Sequence, residues 1–562
     1  QMIFQFNYPN DDKQEYDPEA MKYLTASKYE SLSCLSLNQL DLPVSKPWLI
    51  NELHQRIYLA IQEFKKLSDS SVMNLTVKTS IVYKTMEILS QAKKGSELVV
   101  DADTLIGLLV MTVVHAKIDN IEAHVYYIKN FNAIDRTNDG QFNYIISNLD
   151  AVICHLSESD SLQSLAISSQ ENFDLWSGIV DQDVEKVKQI VSKACEEYLG
   201  TDLPAKHCLL SKNINGESVI DFAIKAKNYE IYNLIINTSM LWFSIDFVLF
   251  DKNVISNQNL FMTALIEETD DQILDDLLAV VTQNATICEQ VAYFNTPDNT
   301  GRTIGHYLFH NHHLITRIGH LIDWEIKDHN SHTPLFSLCR CYDHPSYPEL
   351  LEVGFNAVYK KYGKKGIDFD KHMDKSGNTL LHIILMGLPQ TQILSKEENL
   401  VNLNSTNAKN LTPLMLYVKY SRLENLCNIL KDDRLDFLHE DHKTFYNVFD
   451  YLSFVSTKSS TSKEYRKIER LIVDHYFQNF FPANRPDKLA AFNGKFDSNL
   501  KEWVIHLRNE DCRSKPQSLR SIKQVLYVEK LQRPMSIFPD ADLIWRNHAM
   551  NVSTSPMLSL IH

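Results

Sequence analysis

An acidic side chain stands at the start of a long apolar segment of this sequence. Asp103 is followed by Thr104 and then by residues 105–114, which are apolar at nearly every position. A helix that is apolar all round is typical of the buried centre of a bundle. We therefore expect the Asp103 carboxylate at the tip of a buried helix, where it can pair with a cation of another molecule and repel an anion.

Three polar side chains follow on a later segment. Tyr144, Ser147 and Asn148 lie within residues 144–149, which read Tyr-Ile-Ile-Ser-Asn-Leu. An aromatic segment, Tyr127-Ile-Lys-Asn-Phe131, stands between them and Asp103. A tyrosine beside an apolar groove offers a protein partner the contact area that a single carboxylate lacks.

Together these segments resemble the VPS-nine domain, the module that releases nucleotide from Rab-five-type endosomal GTPases. The resemblance implies a helical bundle over residues 46–168 that acts without covalent chemistry and without a cofactor. It assigns Asp103 as the acidic residue inserted into the nucleotide pocket of the GTPase. Tyr144 and Ser147 fall on the residues that contact the opened switch region, and the resemblance makes Gly107 and Asn148 further candidates for GTPase contact.

The sequence departs from the usual VPS-nine pattern at three positions. The family usually has Asp after the key Asp and Pro four residues beyond it, where this chain has Thr104 and Gly107. Ser147 replaces Thr, which keeps the hydroxyl and loses a methyl group. Glycine inside a helix costs about 1 kcal/mol relative to alanine. These departures imply weaker exchange or a shifted GTPase preference.

The same residues also fit a purely structural interpretation. Aspartate is a favoured helix N-cap, so Asp103 could serve only to cap its helix. Tyr144 would then be a half-buried aromatic residue of the core.

The segments before Asp103 predict the helices that support it. Residues 1–45 form an N-terminal flank with few periodic apolar positions, and Leu42-Pro43 marks its end. Apolar residues then recur at helical spacing from Leu49 to Phe64 and again from Leu75 to Leu89. The predicted fold class is therefore all-α.

A repeated tract follows from about residue 170. Its clearest copies have threonine at 303, 333, 379 and 412, preceded by a turn sequence and followed by apolar residues, with weaker copies at Ser218, Thr263 and Thr444. Their spacing brackets the ankyrin period of about 33 residues. The threonines suit helix capping, and proline after Thr333 and Thr412 suits the first helical position. The tract resembles an ankyrin solenoid of six or seven repeats with insertions over residues 170–455, with Leu175–Val191 as an atypical capping repeat.

Composition narrows the classes of function. The chain has 562 residues and a formal charge of −15, which argues against nucleic-acid binding because phosphate contacts need clustered Lys and Arg. Its nine cysteines lack paired spacing and indicate reduced thiols. No apolar run is long enough to cross a bilayer. The start at Gln1, without a leader, predicts an internal fragment of a longer protein.

Two other clusters contain residues that could form a site. A zinc-dependent enzyme would use the histidines at 306, 310, 312 and 313, but His306 falls on the ankyrin histidine, which binds a neighbouring turn, and no Cys or carboxylate completes a zinc set. We therefore expect no metal. The basic run at 359–365 is interpreted as a solvated loop, with an acidic protein or anionic lipid as the alternative. Phosphate-binding glycine motifs are absent from the sequence.

The order of the two modules resembles the VARP class of endosomal proteins, in a fungal form. That resemblance implies a guanine nucleotide exchange factor, cytoplasmic and peripheral on endosomes, whose ankyrin repeats dock a sorting-nexin, retromer-type or SNARE partner. The alternative is a non-catalytic endosomal scaffold that binds a Rab and a coat or sorting-nexin protein. Residues 456–562 are unassigned, a candidate for a truncated domain, with a linker at 458–463, an amphipathic helix at 465–481 and a mixed segment at 519–531.

Overall fold

A computed structural model of the chain describes most residues between 26 and 452. The described ranges are 26–40, 46–91, 100–131, 140–157, 159–198, 207–341, 343–363, 369–384, 402–432, 434–452, 467–468, 470–472 and 475. The chain divides into two compact units, Gln1–Ala285 and Thr286–His562. No strand longer than an isolated bridge occurs in these ranges, which confirms the all-α fold class.

Unit 1 begins with a helical bundle. Numbered in chain order over the described residues, its helices are α1 (Ala26–Ser31), α2 (Pro47–Phe64), α3 (Leu75–Ser90), α4 (Ala102–Ala116), α5 (Ile121–Phe131), α6 (Gly140–Ser157) and α7 (Ser159–Val180). The two helices predicted before Asp103 are confirmed as α2 and α3. Pro47 occupies the first turn of α2, and Asn74 caps α3 by accepting a hydrogen bond from the Thr76 backbone N–H.

The core of the bundle surrounds α4. Eleven of its fifteen residues are buried, from Thr104 to Ala116 with only Ile106 and Gly107 less enclosed, which confirms the prediction of a buried central helix. Helices α2, α3 and α6 pack against it. The segment before α2 shares this core through Tyr29, Leu32, Leu35 and Leu37. The Tyr29 hydroxyl donates to the Ile118 carbonyl at 3.1 Å, just beyond the end of α4.

Helix α7 joins the bundle to the first repeats. It packs against α6 on one side and against α8 (Val184–Tyr198) on the other, and it is continuous across residues 168–170, where the sequence places a domain boundary. The rest of unit 1 consists of α9 (Val219–Ala226), α10 (Tyr229–Trp242), α11 (Ile245–Val248), α12 (Leu260–Ile266) and α13 (Asp271–Asn284). Helices α9 and α12, which open successive repeats, pack side by side.

Unit 2 continues the repeat pattern. Its helices are α14 (Ile287–Asn295), α15 (His313–Ile318), α16 (Pro334–Arg340), α17 (Tyr347–Tyr362), α18 (Leu380–Ile383), α19 (Pro413–Lys419) and α20 (Leu423–Ile429), with a 3-10 segment at Ile304–His310 and a short helix at 448–452. Among the described helices of both units, none is long and apolar enough to cross a membrane.

The same turn recurs before five of the repeat helices. Each turn begins with an Asp or Asn whose side-chain oxygen accepts the backbone N–H of the residue four positions later. The backbone carbonyl of the same Asp or Asn accepts the N–H of the residue three positions later, and that residue has a positive φ. The anchors are Asn213, Asp298, Asp328, Asp374 and Asn407. The residue five positions after each anchor is the helix N-cap, namely Ser218, Thr303, Thr333, Thr379 and Thr412. The predicted capping positions are therefore confirmed at these five repeats.

Two weaker copies were placed in the wrong register. Thr263 lies inside α12, whose N-cap is Asn259. Thr444 lies in a turn anchored by Asp441, and Asn447 accepts the N–H groups that open the helix at 448–452. The Asp441 backbone N–H reaches the fifth residue on rather than the fourth, so this turn is one residue longer than the others. The cap moves with it.

Histidines join successive repeats as the ankyrin resemblance predicts. His306 Nδ1 accepts the Thr303 backbone N–H at 3.0 Å, and its Nε2 lies 3.0 Å from the His332 carbonyl of the next turn. His382 repeats the arrangement between Thr379 and the Leu411 carbonyl. The structural interpretation of His306 is confirmed.

The long spacer between Thr333 and Thr379 contains the extended helix α17. The basic run expected to be a solvated loop begins inside this helix, so that interpretation is wrong for residues 359–362. Lys361 Nζ donates to the Ile322 carbonyl, and the Tyr362 hydroxyl lies 3.0 Å from Asp323 Oδ1. These two side chains hold a turn of unit 2 in place.

Several expectations about the ends of the chain fall outside the described residues. These are the flank before residue 26, the boundary at Leu42-Pro43, the linker at 458–463 and the segment at 519–531. Within the predicted helix at 465–481, the described residues 467–468, 470–472 and 475 are helical, with Ile468 and Ile472 buried.

Candidate functional site

The N-terminus of α4 carries two carboxylates with different environments. Asp101 precedes the helix, and its Oδ1 accepts a hydrogen bond from the backbone N–H of Thr104 at 2.8 Å. The hydrogen bonds with Thr104 hold the pKa of Asp101 below its ordinary value. The interpretation of Asp103 as the helix cap is therefore wrong, because Asp101 has that role.

Asp103 lies in the first turn of α4 with its side chain exposed. Within the described part of the chain, its carboxylate forms no hydrogen bond or ion pair. The next residue, Thr104, is buried, so the chain passes from solvent into the core within one residue. A negative charge in the first turn is stabilised by the helix dipole. The geometry therefore presents an uncommitted carboxylate on a rigid, well-packed support.

Gly107 lies one turn along α4 from Asp103 and is half-buried. Residues four apart share a face of a helix, so Gly107 follows Asp103 along the same side. Without a side chain, Gly107 leaves room for another surface to approach the helix backbone there.

The three polar residues of the second segment lie on α6. Tyr144 is 50% exposed and does not belong to the bundle core, and Ser147 is exposed one turn later. The opposite side of α6 is buried through Phe142, Ile145, Ile146, Leu149 and Val152. The helix therefore fixes Tyr144 and Ser147 on one accessible face.

Asn148 marks the edge of that face. It is half-buried, and its Nδ2 is shielded from solvent with no hydrogen-bond acceptor among the described residues. A buried amide donor without an acceptor costs about 1–3 kcal/mol. Such groups are rare in folded proteins and need a specific explanation.

Packing between the helices brings the two segments together. Helix α4 packs directly against α6, and α3 reaches α6 through the stacked rings of Tyr83 and Phe142, whose centroids are 6.4 Å apart. The Tyr127 and Phe131 rings, 5.5 Å apart, lie at the end of α5 as the sequence pattern predicts. Lys129 Nζ lies 2.6 Å from Asp150 Oδ2 and ties α5 to α6.

The capping role of one residue at this site was not predicted from the sequence. Asp101 stands two positions before Asp103, and the pattern Asp-Ala-Asp before an apolar run allows either aspartate to be the cap. The structure decides between them, because an N-cap side chain normally accepts a backbone N–H two or three residues on, and Asp101 accepts that of Thr104.

The histidines of unit 2 were the alternative site. The His312 and His313 ring centroids lie 4.1 Å apart with the rings tilted by 38°, and His312 Nε2 lies 3.6 Å from Glu349 Oε2. Across the ranges that the structure describes, no group of three or more His, Cys, Asp or Glu side chains has a geometry that could hold a metal ion. These rings offer no metal centre within those ranges.

Comparison with protein families identifies the bundle. Residues 57–161 match the family model of the Vacuolar sorting protein 9 (VPS9) domain. The match runs from the middle of α2 into α7 and includes α4 and α6, the two helices that carry the candidate residues.

Relatives that match most of the chain include UPF0507 proteins of three yeasts. A UPF0507 protein of Scheffersomyces stipitis is 56% identical over 99% of this chain and 47% of the relative, and one of Lodderomyces elongisporus is 52% identical over 100% of this chain and 48% of the relative. A UPF0507 protein of Saccharomyces cerevisiae is 34% identical over 63% of this chain and 47% of the relative. The chain spans about half the length of the curated relatives it matches.

Two solved structures with some similarity are ankyrin proteins. The ankyrin repeat domain of Bcl-3 covers 43% of this chain and 92% of its own, with a TM-score of 0.30 and 16% identity. An ankyrin repeat protein from Leishmania major covers 54% and 99%, with a TM-score of 0.31 and 13% identity. The family match is the specific result: the chain carries a VPS9 domain over residues 57–161.

Proposed function

We propose that the chain is a guanine nucleotide exchange factor for a Rab-five-type endosomal GTPase, in which Asp103 enters the nucleotide pocket of the GTPase. The observation that carries this proposal is the exposed Asp103 carboxylate within a VPS9 domain, left free because Asp101 caps the helix. Asp103 is thereby available to a partner at no cost to the fold of α4.

The chemistry needs no covalent step and no cofactor. A GTPase holds its nucleotide through a P-loop lysine on the phosphates and a bridging magnesium ion. A carboxylate delivered there pairs with the lysine when the phosphate has left and repels the phosphate when both are present. The protein then accelerates exchange by stabilising the nucleotide-free GTPase.

The energies show why one carboxylate is not enough. A charge pair at about 4 Å in an effective dielectric near 20 contributes about 4 kcal/mol. Picomolar nucleotide binding corresponds to about 16 kcal/mol. The difference must come from the buried contact surface, for which Tyr144 and Ser147 are the proposed switch contacts and Gly107 and Asn148 the proposed neighbours.

The ankyrin repeats are proposed as the docking site of an endosomal trafficking partner of the sorting-nexin, retromer-type or SNARE class. The proposed domain assignment is an N-terminal flank at 1–45, the exchange domain at 46–168, the repeats at 170–455 and an unassigned region at 456–562. Ankyrin repeats in general bind protein partners through their turns and inner helices. A VARP-like protein of this kind would be cytoplasmic and peripheral on endosomes, held there by its partner.

A second candidate function is a non-catalytic scaffold that binds its Rab and a coat or sorting-nexin protein. The observation in its favour is Gly107, which stands where the VPS-nine pattern usually has a proline that shapes the floor of the GTPase-binding groove. The retained Asp103 and Tyr144 favour exchange.

Nucleotide-release kinetics test the two functions. A Rab-five-type GTPase loaded with fluorescent GDP is mixed with the wild-type chain, with Asp103→Ala and, as a matched control, with the nearby exposed Ala102→Ser. We expect Ala102→Ser to accelerate release as the wild type does and Asp103→Ala to lose most of the acceleration. Equal release with wild type and Asp103→Ala would leave only the scaffold.

A further inference from the structure

The first repeat turn of unit 1 docks on the helical bundle. Lys212 and Ser218 pair across this turn, and Ile214 near its tip packs against the core of the bundle. The backbone N–H of Lys212 donates to Ser36 Oγ at 2.9 Å. The turn is therefore part of the packing around the bundle.

A closed network of three side chains ties this turn to α2. Lys212 Nζ lies 2.6 Å from Asp251 Oδ2 and 2.8 Å from Asn51 Oδ1. Asn51 Nδ2 donates in turn to Asp251 Oδ1 at 2.8 Å. The Lys212 and Asp251 side chains are only 10% and 15% exposed. Removal of Lys212 or Asp251 leaves the other as a largely buried charge without its partner, which is strongly destabilising locally.

His54 adds a second tie one turn further along α2. Its Nε2 lies 3.2 Å from the Ile214 carbonyl, and the ring is buried. Burial lowers the pKa of His54 to about 3, so the ring is neutral at physiological pH. Because a carbonyl can only accept, Nε2 carries the proton and donates it.

Helix α2 transmits these constraints to α4. The two helices pack along each other, with Leu53 and Ile57 of α2 in the same core as Leu105 and Leu108 of α4. The C-terminal end of α4 is fixed separately, by His115 Nε2 at 3.0 Å from the Leu35 carbonyl. The remaining length of α4, towards Asp103, depends on its helical neighbours.

We propose that Lys212 is a positioning residue of the exchange site: through Asn51 it fixes α2, and through α2 it fixes α4, the helix that presents Asp103. The inference rests on the proposed exchange function, because Asp103 is the group being positioned. The first ankyrin repeat is then a structural part of the exchange module.

The test compares Lys212→Met with Lys225→Met in the full chain. Lys225 forms ion pairs of similar burial with Glu217 and Glu267, both of which belong to the repeats and not to α2. GDP release from a Rab-five-type GTPase is measured over a range of exchange-factor concentrations. The maximal rate at saturation is independent of any loss of folded molecules, so it reports positioning rather than stability.

We expect the maximal rate to fall about tenfold for Lys212→Met, to stay at the wild-type value for Lys225→Met, and to recover to within about twofold for Lys212→Arg. A wild-type maximal rate for Lys212→Met overturns the inference. Should that variant fail to fold, Asn51→Ala keeps the Lys212–Asp251 pair and removes only the α2 partner, with the same expected fall and the same refuting result.

Hydrogen–deuterium exchange separates this inference from the proposed function. If the wild-type chain releases no GDP, the proposed function fails, and amide protection at residues 102–108 decides the inference. Faster amide exchange there in Lys212→Met than in Lys225→Met supports the link through α2. Equal protection in the two variants overturns it.

Discussion

The Oδ1 atom of Asp101 lies 2.8 Å from the backbone nitrogen of Thr104, and this hydrogen bond gives Asp101 and Asp103 different roles. Asp101 satisfies the helix end, whereas Asp103 points to solvent from a helix whose next residue is buried. A change at either position should therefore affect a different property of the protein.

Replacement of the capping residue should lower stability. Asp101→Ala removes the acceptor of the Thr104 N–H, and we expect the melting temperature to fall by a few degrees. Asp101→Asn keeps an acceptor and should melt close to the wild type, which makes it the matched control. Differential scanning calorimetry gives the comparison. Equal melting of Asp101→Ala and wild type would contradict the capping role.

Changes on the exposed face of α6 should leave stability intact and reduce exchange. Tyr144→Ala removes a ring that is 50% exposed, so the free energy of unfolding should change by no more than about 0.5 kcal/mol. GDP release should slow at least tenfold, as expected for an aromatic residue at the centre of an interface. Leu59→Ala, at the same 50% exposure on α2, is the control for both measurements. Wild-type release by Tyr144→Ala would remove Tyr144 from the proposed contact.

Acid should destabilise unit 1 through its buried histidines. Burial lowers the pKa of His54 to about 3 and that of His115 to about 4, whereas both titrate near 6.5 when unfolded. Between pH 6.5 and about 4, the unfolded chain therefore binds more protons than the folded chain, and the free energy of unfolding falls as the pH falls through this range. Each group contributes a slope of about 1.4 kcal/mol per pH unit.

Urea unfolding at pH 7.5, 6.0 and 5.0 measures this slope. His54→Gln removes one titrating group and should flatten the slope relative to the wild type, even if its stability at pH 7.5 is lower. An unchanged slope in His54→Gln would show that His54 does not carry the effect.

The histidine ties between repeats should be energetically important. His382→Leu leaves the Thr379 N–H without its acceptor inside the stack, which costs about 1–3 kcal/mol. It also removes one of the two hydrogen bonds of the Leu411 carbonyl, which keeps the Asn407 N–H. The exposed His320→Leu should change the free energy of unfolding by no more than about 0.5 kcal/mol. Urea titration compares the free energies of unfolding of the two variants. Similar losses in both would argue against an energetic role for the His382 hydrogen bonds between repeats.

The sequence predicted the elements whose signals are local. Helices α2 and α3 follow from apolar periodicity, and α4 follows from a run that is apolar at nearly every position. The caps at Thr303 and Thr379 follow from turn chemistry that lies within a few residues. The copies at Thr263 and Thr444 failed for a local reason as well. Asn259 and Asn447 compete for the capping role there, and one extra residue in the Asp441 turn moves the helix start.

The candidate site was predictable only in part. Asp103 and Tyr144 come from a resemblance that includes their order in the chain, and their roles stay predictions. The junction around Lys212 could not be predicted, because Asn51 and Asp251 are separated by 200 residues and neither stands in a motif. Such a pairing depends on tertiary packing alone.

The continuity of α7 limits how the chain can be dissected in the laboratory. Asn172, on this helix, donates to the Cys34 carbonyl at 2.8 Å and also bonds the Gln39 side chain, so α7 secures the segment that leads into α2. A recombinant piece that stops at residue 161 or 168 would lack that anchor. Poor yield or inactivity of such a piece would then result from the truncation of α7. A piece that ends after Ala285 keeps the whole of unit 1.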